Sequence, residues 1–256
     1  MTSQFDCVGA TIADGMVSDG DDGYEVASVA VENHRRSVIA FVGMAFEARI
    51  AAGPGVLVVC RTAGSQLAKV AESAVRQGYR GMLSFGVAGG LASHLRAGDW
   101  VVASDVRESQ TVRATDPAWS RRLLNMIDDA VHAPIVGVDT PIAEPATKRE
   151  LHRTTGAAAV DMESHIVARV AGAHRLAFAA VRVVVDPAHR RVPAAALLAM
   201  RPDGRADVSA ILRDVMTRPS QLKPLARVAV DALAARAAMH RVRRLLGPHF
   251  GLADLA

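Results

Sequence analysis

Apolar and polar positions follow two different periods along this chain. Short apolar runs rich in β-branched residues, typical of strands buried on both faces, are separated by stretches with the period of an amphipathic helix. Strands are predicted for SVIAFVG, GVLVVC, GMLSFGV, GDWVVAS, APIVGVD, AAAVDM and LAFAAVRVVVD, and helices for MAFEARIAA, SQLAKVAESAVRQG and the residues after AAAVDM. This alternation predicts an α/β fold, a three-layer sandwich in which helices cover both faces of a mainly parallel mixed sheet.

The pattern changes at both ends of the chain. Residues 1–36 are rich in Gly and Asp and lack a useful period, which predicts a poorly ordered acidic extension. Residues 37–217 carry the α/β pattern, with a helix predicted for ADVSAILRDVM. Residues 218–256 are predicted to be a basic amphipathic helical tail, with an apolar face made of Leu222, Leu225, Val228, Ala229, Ala232, Met239 and Val242.

Charge is unevenly distributed around a net charge of +4. Residues 1–33 hold seven acidic residues and no Lys or Arg, whereas residues 218–244 hold seven basic residues and one acidic residue. A basic amphipathic helix indicates peripheral contact with an anionic membrane surface, or delivery of a lipid-like substrate. The alternative is that the apolar face packs on the domain and the basic side chains are simply solvated.

Composition excludes several classes of function. Aromatic residues make up 4% of the chain, too few for the stacking platforms that bind single-stranded nucleic acid. Cys7 and Cys60 have neither metal-ligand nor redox spacing, so no metal site is predicted. We see no signal segment and no apolar run long enough to span a membrane, which leads us to expect a cytoplasmic protein.

Two acidic motifs stand at the ends of buried strands. In GAAAVDMESHIVA, Asp161 suits a helix cap, but Glu163 lies among residues that pack on a sheet, where an anion needs hydrogen-bond donors. The hydroxyl groups of a ligand could supply those donors. Asp186 ends LAFAAVRVVVD, at the sheet edge where α/β folds bind ligands, although an Asp-Pro turn is an equally plausible reason for an acid there.

A glycine-rich loop follows the third predicted strand in SFGVAGGLASHLRAGDWVV. The next strand begins about ten residues later, which leaves no room for the crossover helix of a dinucleotide-binding unit, and the glycine spacing is also wrong for one. The glycines instead indicate close approach of the backbone to a ligand or to another strand, or a tight turn.

The order of four motifs, FVGMAFEAR, FGVAGGL with LRAGDWVVAS, VDMES and VRVVVD, resembles the superfamily of purine nucleoside phosphorylases and methylthioadenosine/S-adenosylhomocysteine nucleosidases. The resemblance covers about residues 37–190. The segment RPDGRADVSAILRDV with its basic tail is similar to a narrower group, the hopanoid-associated phosphorylases that act on adenosylhopane. The superfamily fold is the three-layer sandwich that the pattern predicts.

The resemblance implies a role for each matching residue. Asp186 matches the acid that protonates purine N7 as the bond to the sugar breaks. Glu163 matches the acceptor of the ribose hydroxyls, and Met162 packs on the sugar. The remaining substrate contacts implied are Ala88 and Gly89 in the loop around sugar and base, Ile142 in the adenine-reading segment 138–142, and Glu47 in the acidic N-terminal motif.

Phosphate and water are both possible nucleophiles. Arg61 and Thr62 precede a predicted helix start, where a guanidinium, a hydroxyl and free amides could bind an anion, and Gly43 could add another amide. Val87, however, stands where phosphorylases of the superfamily often place Ser or Thr. We predict phosphate as co-substrate, with no other cofactor.

The predicted function is phosphorolysis of a 5′-substituted adenosine, adenosylhopane being the expected substrate, with release of adenine by a homo-oligomer. The apolar stretch RRVPAAALLAM, after Asp186, is the expected lining for the 5′ group. A hydrolytic nucleosidase and a nucleoside-binding protein without turnover are the alternatives.

Overall fold

The computed structural model describes residues 38–53, 56–60, 64–193, 196 and 222–252. Within these residues the chain forms eight strands and six helices. The strands are β1 Val38–Val42, β2 Val56–Cys60, β3 Gly81–Gly90, β4 Trp100–Glu108, β5 Thr111–Ala114, β6 Val131–Gly137, β7 Ala159–Asp161 and β8 Ala177–Asp186. The helices are α1 Ala45–Ala51, α2 Gly64–Arg76, α3 Pro117–Met126, α4 Pro145–Thr155, α5 Ser164–His174 and α6 Leu222–Leu245.

All eight strands belong to one mixed sheet. Its path runs β2-β1-β3-β7-β6-β4-β5, and β8 pairs with both β3 and β4. Strands β3, β7, β6, β4 and β8 therefore close into a ring. The pairs β1–β2, β1–β3, β3–β8, β4–β6 and β6–β7 are parallel, whereas β3–β7, β4–β5 and β4–β8 are antiparallel. The predicted mainly parallel mixed sheet is confirmed.

Helices cover the sheet from two sides, as the burial of its strands on both faces requires. On one side α2 and α5 pack over a core that includes Phe41, Met82 and Val184. On the other side α1, α3 and α6 pack over a second core with Phe85, Trp100 and Met239. The three-layer α/β class predicted from the alternating pattern is confirmed.

The prediction of a glycine-rich loop is wrong, because the segment pairs with β7 and β8 and belongs to a single long strand. Strand β3 runs through Gly86 and Gly89 to Gly90, and no helix separates it from β4, as predicted. A Cβ atom at Gly86 would lie 2.5 Å from the carboxylate of Glu47 and 2.8 Å from the guanidinium of Arg182. The glycine therefore allows two charged side chains to approach the backbone of β3.

Helix α6 packs on the sheet with its second half. Its buried side chains are Ala235, Ala238, Met239 and Val242. Of the predicted apolar face, Met239 and Val242 are buried, Leu225 and Val228 are half-buried, and Ala229 and Ala232 are exposed. The helix contacts strand β8 and helix α1, and its buried side chains belong to the second core.

Some predictions concern residues outside the described ranges. These are the acidic extension 1–36, the helix predicted for ADVSAILRDVM, most of RRVPAAALLAM, and the pair Arg61 and Thr62. Among the described helices, none is long and apolar enough to cross a membrane.

Candidate active site

The acidic side chains singled out in the sequence meet at one edge of the sheet. Strands β1, β3 and β8 are parallel, so their carboxyl ends lie together. Gly43 follows β1, Val87 to Gly90 end β3, and Asp186 ends β8. Strand β7 joins this edge antiparallel to β3, with Gly89 opposite Val160, and so brings Asp161 and the start of α5 to the same place.

Glu47 projects from the first turn of α1 into the protein interior. Its side chain is buried, and its carboxylate accepts three backbone hydrogen bonds, from the N–H groups of Gly43 at 2.7 Å, Met44 at 2.8 Å and Val87 at 2.7 Å. Two of these donors belong to the start of α1, where the helix dipole favours an anion. The third fixes the carboxylate against β3.

Burial changes the proton affinity of Glu47. Loss of solvation raises the pKa of this carboxyl group to about 7; Arg182 lowers it, Glu163 raises it, and the backbone donors lower it. A carboxyl group with this pKa exchanges protons near neutral pH, as a general base requires.

Arg182, inside strand β8, is the cation that holds this acidic cluster together. It is fully buried, and its guanidinium forms ion pairs with Asp161 and with Glu163 at 3.3 Å. It also donates to the hydroxyl groups of Ser84 and Ser164. Burial disfavours the charged form, but attraction to Asp161, Glu163 and Glu47 outweighs it, so the pKa of Arg182 lies above its usual value. The charge of Arg182 therefore attracts three carboxylates at once.

Glu163 stands at the N-cap of α5, directly over the loop after β1. Its side chain is 11% exposed, and a Cβ at Gly43 would lie 2.8 Å from its Oε1 atom. The structure therefore brings Glu163 beside Glu47, as expected for two residues of one site. Met162 is half-buried next to it.

Asp186 lies across the end of β3 from this cluster. Its side chain is 16% exposed, and its Oδ2 atom accepts a hydrogen bond of 2.5 Å from the ammonium group of Lys148 on α4. Burial raises the pKa of Asp186 to about 6, with Lys148 acting in the opposite direction. This pKa leaves the carboxyl group partly protonated in the range where an acid catalyst works.

Gly89 is the backbone contact of Asp186. It is the register partner of Asp186 at a bulge between β3 and β8, and a Cβ there would lie 3.4 Å from both carboxylate oxygens. Glu47 contacts the same strand at Val87. The two contact points are two residues apart, about 7 Å along an extended strand. Ala88, between them, is buried.

The predicted adenine-reading segment, residues 138–142, leads from β6 to α4. The Val138 N–H donates to the Asp161 carbonyl at 2.9 Å, and Ile142 packs near Val160 and Leu91. His165 is buried next to this segment. Its ring packs so closely on Gly137 that a Cβ atom added there would lie 2.4 Å from the ring. These contacts bring Ile142 to the strand that carries Asp161.

Of the three residues predicted to bind phosphate, the structure describes Gly43 alone. The Gly43 N–H donates to Glu47, so in this arrangement a carboxylate already engages the amide. Arg61 and Thr62 lie outside the described residues. Helix α2 begins at Gly64, soon after β2 ends at Cys60 beside Val42 of β1. The phosphate contacts therefore stay predictions. Among the described residues, no group of His, Cys, Asp and Glu has a metal-binding arrangement.

The family follows from the sequence profile that matches most of the chain. The profile of the Phosphorylase superfamily covers residues 20–218, so the chain belongs to the Phosphorylase superfamily. Among curated proteins, none matches the sequence significantly.

Solved structures share this fold at low sequence identity. The futalosine hydrolase of Helicobacter pylori is 13% identical and superposes with a TM-score of 0.59, over 84% of this chain and 97% of its own. The 5′-methylthioadenosine/S-adenosylhomocysteine nucleosidase of the same organism is 14% identical, with a TM-score of 0.58 and coverage of 82% and 96%. The S-adenosylhomocysteine nucleosidase of Streptococcus pyogenes is 14% identical, with a TM-score of 0.54 and coverage of 79% and 96%.

Sequence reasoning missed two cations of the site. Arg182 carried a visible signal, because a lone Arg inside the apolar run LAFAAVRVVVD needs buried counter-ions. Lys148 carried none, since a Lys in the polar segment PATKRELHRTT resembles any solvated helix residue. Its burial is decided by the loop after Asp186, which the local pattern does not reveal.

Proposed function

We propose that this protein cleaves the N-glycosidic bond of a 5′-substituted adenosine and releases adenine. One observation carries the proposal: two carboxyl groups with raised pKa values, the buried Glu47 and the half-buried Asp186, contact the same strand end two residues apart. Groups of this kind supply the base and the acid of a bond cleavage at neutral pH. The solved relatives are named as nucleosidases and a hydrolase, which agrees with this chemistry.

In the proposed reaction Asp186 gives its proton to N7 of the purine while the bond between the sugar and the base breaks. The proton neutralises the negative charge that develops on the leaving base. Glu163 accepts hydrogen bonds from the ribose hydroxyl groups, and Met162 packs on the sugar. Ala88, Gly89 and Ile142 line the space around sugar and base.

Water is the nucleophile that the described residues favour. Glu47, Glu163 and Asp161 surround one guanidinium, so the cluster is anionic and repels a phosphate ion. With its pKa near 7, Glu47 can take a proton from a water molecule as that water attacks the sugar. On this basis a hydrolytic nucleosidase is the first candidate.

Phosphorolysis is the second candidate, and the position of α2 favours it. The helix begins at Gly64, on the same sheet edge as Gly43 and two residues after Thr62 in the sequence. A helix N-terminus with an adjacent guanidinium is a suitable anion site. A nucleoside-binding protein without turnover is the remaining alternative.

For the 5′ substituent we propose a large apolar group such as hopane. The support is the sequence similarity of residues 201–215 to the hopanoid-associated group and the apolar stretch after Arg191. Burial of apolar surface contributes about 25 cal/mol per Å², so about 200 Å² of hopane contact would contribute about 5 kcal/mol before ordering costs.

We also propose peripheral contact of α6 with an anionic membrane, by a homo-oligomer at the cytoplasmic face. Val230 and Leu233 are 64% and 66% exposed, and Arg227 and Arg236 are exposed near them. Exposed apolar and basic residues together suit a membrane interface. Co-sedimentation with anionic vesicles tests this, and no binding at low salt would contradict it.

Product analysis in isotopically labelled water separates the candidates. The purified chain is incubated with adenosine, methylthioadenosine and a 5′-hopanoid analogue in ¹⁸O-water, with and without phosphate. Hydrolysis predicts adenine and a free sugar that carries ¹⁸O, with no need for phosphate. A sugar phosphate formed only with phosphate would establish the second candidate. If no adenine forms with or without phosphate, the remaining alternative is a nucleoside-binding protein without turnover.

A further inference from the structure

Lys148 is a buried cation next to the proposed acid. It lies on α4, its side chain is fully buried, and its ammonium group has four oxygen acceptors. These are Asp186 Oδ2 at 2.5 Å and the carbonyl oxygens of Asp186 at 3.0 Å, Pro187 at 3.2 Å and Arg190 at 3.2 Å. Because a Lys side chain is rarely buried without such partners, this cage of acceptors is made for a charged amine.

The cage joins the carboxylate to the backbone that follows it. Three of the four acceptors are carbonyl groups of residues 186–190, the turn that leaves β8. One side chain from α4 therefore fixes both the Asp186 carboxylate and its turn. The same turn is also held by an ion pair of 3.0 Å between Arg190 and Asp231 of α6.

The charges around Asp186 come from two helices. Within the described residues, Lys148 faces it from α4, and Asp231 acts on it from α6, where Arg190 pairs with Asp231. Strand β3 contributes Gly89, which has no charge. Lys148 is thus the cation in direct contact with Asp186, and it favours the carboxylate form against burial.

We propose that Lys148 is a positioning residue that aims the Asp186 carboxyl group and sets the pH range in which Asp186 donates its proton. The proposal rests on the proposed function, in which Asp186 is the acid. When the glycosidic bond breaks, its electron pair goes to the purine, the proton moves from Asp186 to N7, and an aspartate remains. The ammonium group of Lys148 keeps its own protons and stabilises that aspartate.

Lys148→Met tests the proposal, with Arg149→Met as the matched control. Both substitutions remove one positive charge from neighbouring positions of α4, but Arg149 is exposed. Without Lys148, Asp186 retains its proton to higher pH. The optimum of kcat/KM should then move upward by about half a unit for each tenfold change in the Asp186 acid constant, while kcat falls more than KM changes. Arg149→Met should leave the optimum in place.

An infrared titration gives a readout that needs no turnover. The carboxyl band lost in Asp186→Asn identifies Asp186, and its midpoint should rise in Lys148→Met by about one pH unit or more. Lys148→Gln, which keeps a hydrogen-bond donor without the charge, should show the same rise. An unchanged midpoint in a folded variant, or loss of the fold in both variants, would overturn the proposal.

The double variant separates this inference from the proposed function. If Lys148 acts through Asp186, Lys148→Met should have little further effect on the residual activity of Asp186→Asn. A large additional loss would assign Lys148 a role apart from Asp186. Full activity of Asp186→Asn would instead remove Asp186 as the acid, and the proposed function with it.

Discussion

Glu47, which is buried, and Asp186, which is half-buried, are two carboxyl groups at one sheet edge, but they are held in different ways. Glu47 is bound by three backbone N–H groups and shares the guanidinium of Arg182 with two other carboxylates. Asp186 has the ammonium group of Lys148 in direct contact. Burial raises both pKa values, to about 7 for Glu47 and about 6 for Asp186.

The difference shows how two similar groups can be assigned different tasks. The three N–H donors bind the carboxylate form of Glu47 beside an acidic cluster, and in the proposed reaction this group is the base. Asp186 lies beside Gly89 on the same strand, and in the proposed reaction it donates its proton there.

The largest effect is expected from Asp186→Asn. The amide cannot donate a proton as a carboxylic acid does, so kcat should fall by about 10²- to 10⁴-fold while the fold and substrate binding are retained. Steady-state kinetics of adenine release and circular dichroism provide the measurement. Asp128→Asn, at an exposed position, is the control. If Asp186→Asn had nearly wild-type turnover, Asp186 would not be the acid of the reaction.

Glu47→Gln should reduce hydrolysis by about 10²-fold or more, because the amide cannot take a proton from water. Glu150→Gln, on the exposed side of α4, should leave the rate unchanged. If Glu47→Gln lost no activity in ¹⁸O-labelling assays, another group would have to activate the nucleophile. Such a result would favour phosphorolysis over hydrolysis.

A smaller effect is expected from Glu163→Gln. Hydrogen bonds to a charged acceptor contribute about 1.5 to 3 kcal/mol, so the loss of charge should lower kcat/KM by about 10- to 100-fold, with a rise in KM. The contrast with 2′-deoxy and 3′-deoxy substrates checks the cause, since these should lose less in the variant than in the wild type. If the deoxy substrates lost the same amount of kcat/KM in the variant and the wild type, Glu163 would serve only to stabilise the start of α5.

The smallest expected effect is on stability. The folded pKa of Glu47 lies above the ordinary 4.5, so its contribution to stability is present below about pH 4.5 and is lost as the pH rises through about 7. The free energy of unfolding should therefore fall by up to about 3 kcal/mol over this range. Urea unfolding at pH 5 and pH 8 measures the fall, which should be smaller in Glu47→Gln. An equal fall would mean that other groups cause it.

The sequence predicted the sheet and the acids, because both have local signals. Apolar runs of the right length predicted seven of the strands, and the acids at strand ends indicated Glu163 and Asp186. The short exposed strand β5 and the helices α3 and α4 were not predicted, since a segment with few buried residues shows only a weak hydrophobic period.

The partners of the acids could not be predicted in the same way. Arg182 on β8 pairs with Glu163 at the start of α5, and Lys148 on α4 pairs with Asp186 at the end of β8, 38 positions away in the sequence. These contacts depend on the closure of the strand ring, which brings α4 to the end of β8. Propensity and period describe each element by itself and contain no information about that closure.

The pH dependence of kcat/KM tests the pairing of base and acid most directly. Glu47 must be ionised and Asp186 protonated, so the wild-type profile should be bell-shaped with its maximum at about pH 6.5. Asp186→Asn should leave only a rise through about pH 7, and Glu47→Gln only a fall through about pH 6. A profile that keeps both limbs in both variants would contradict the account.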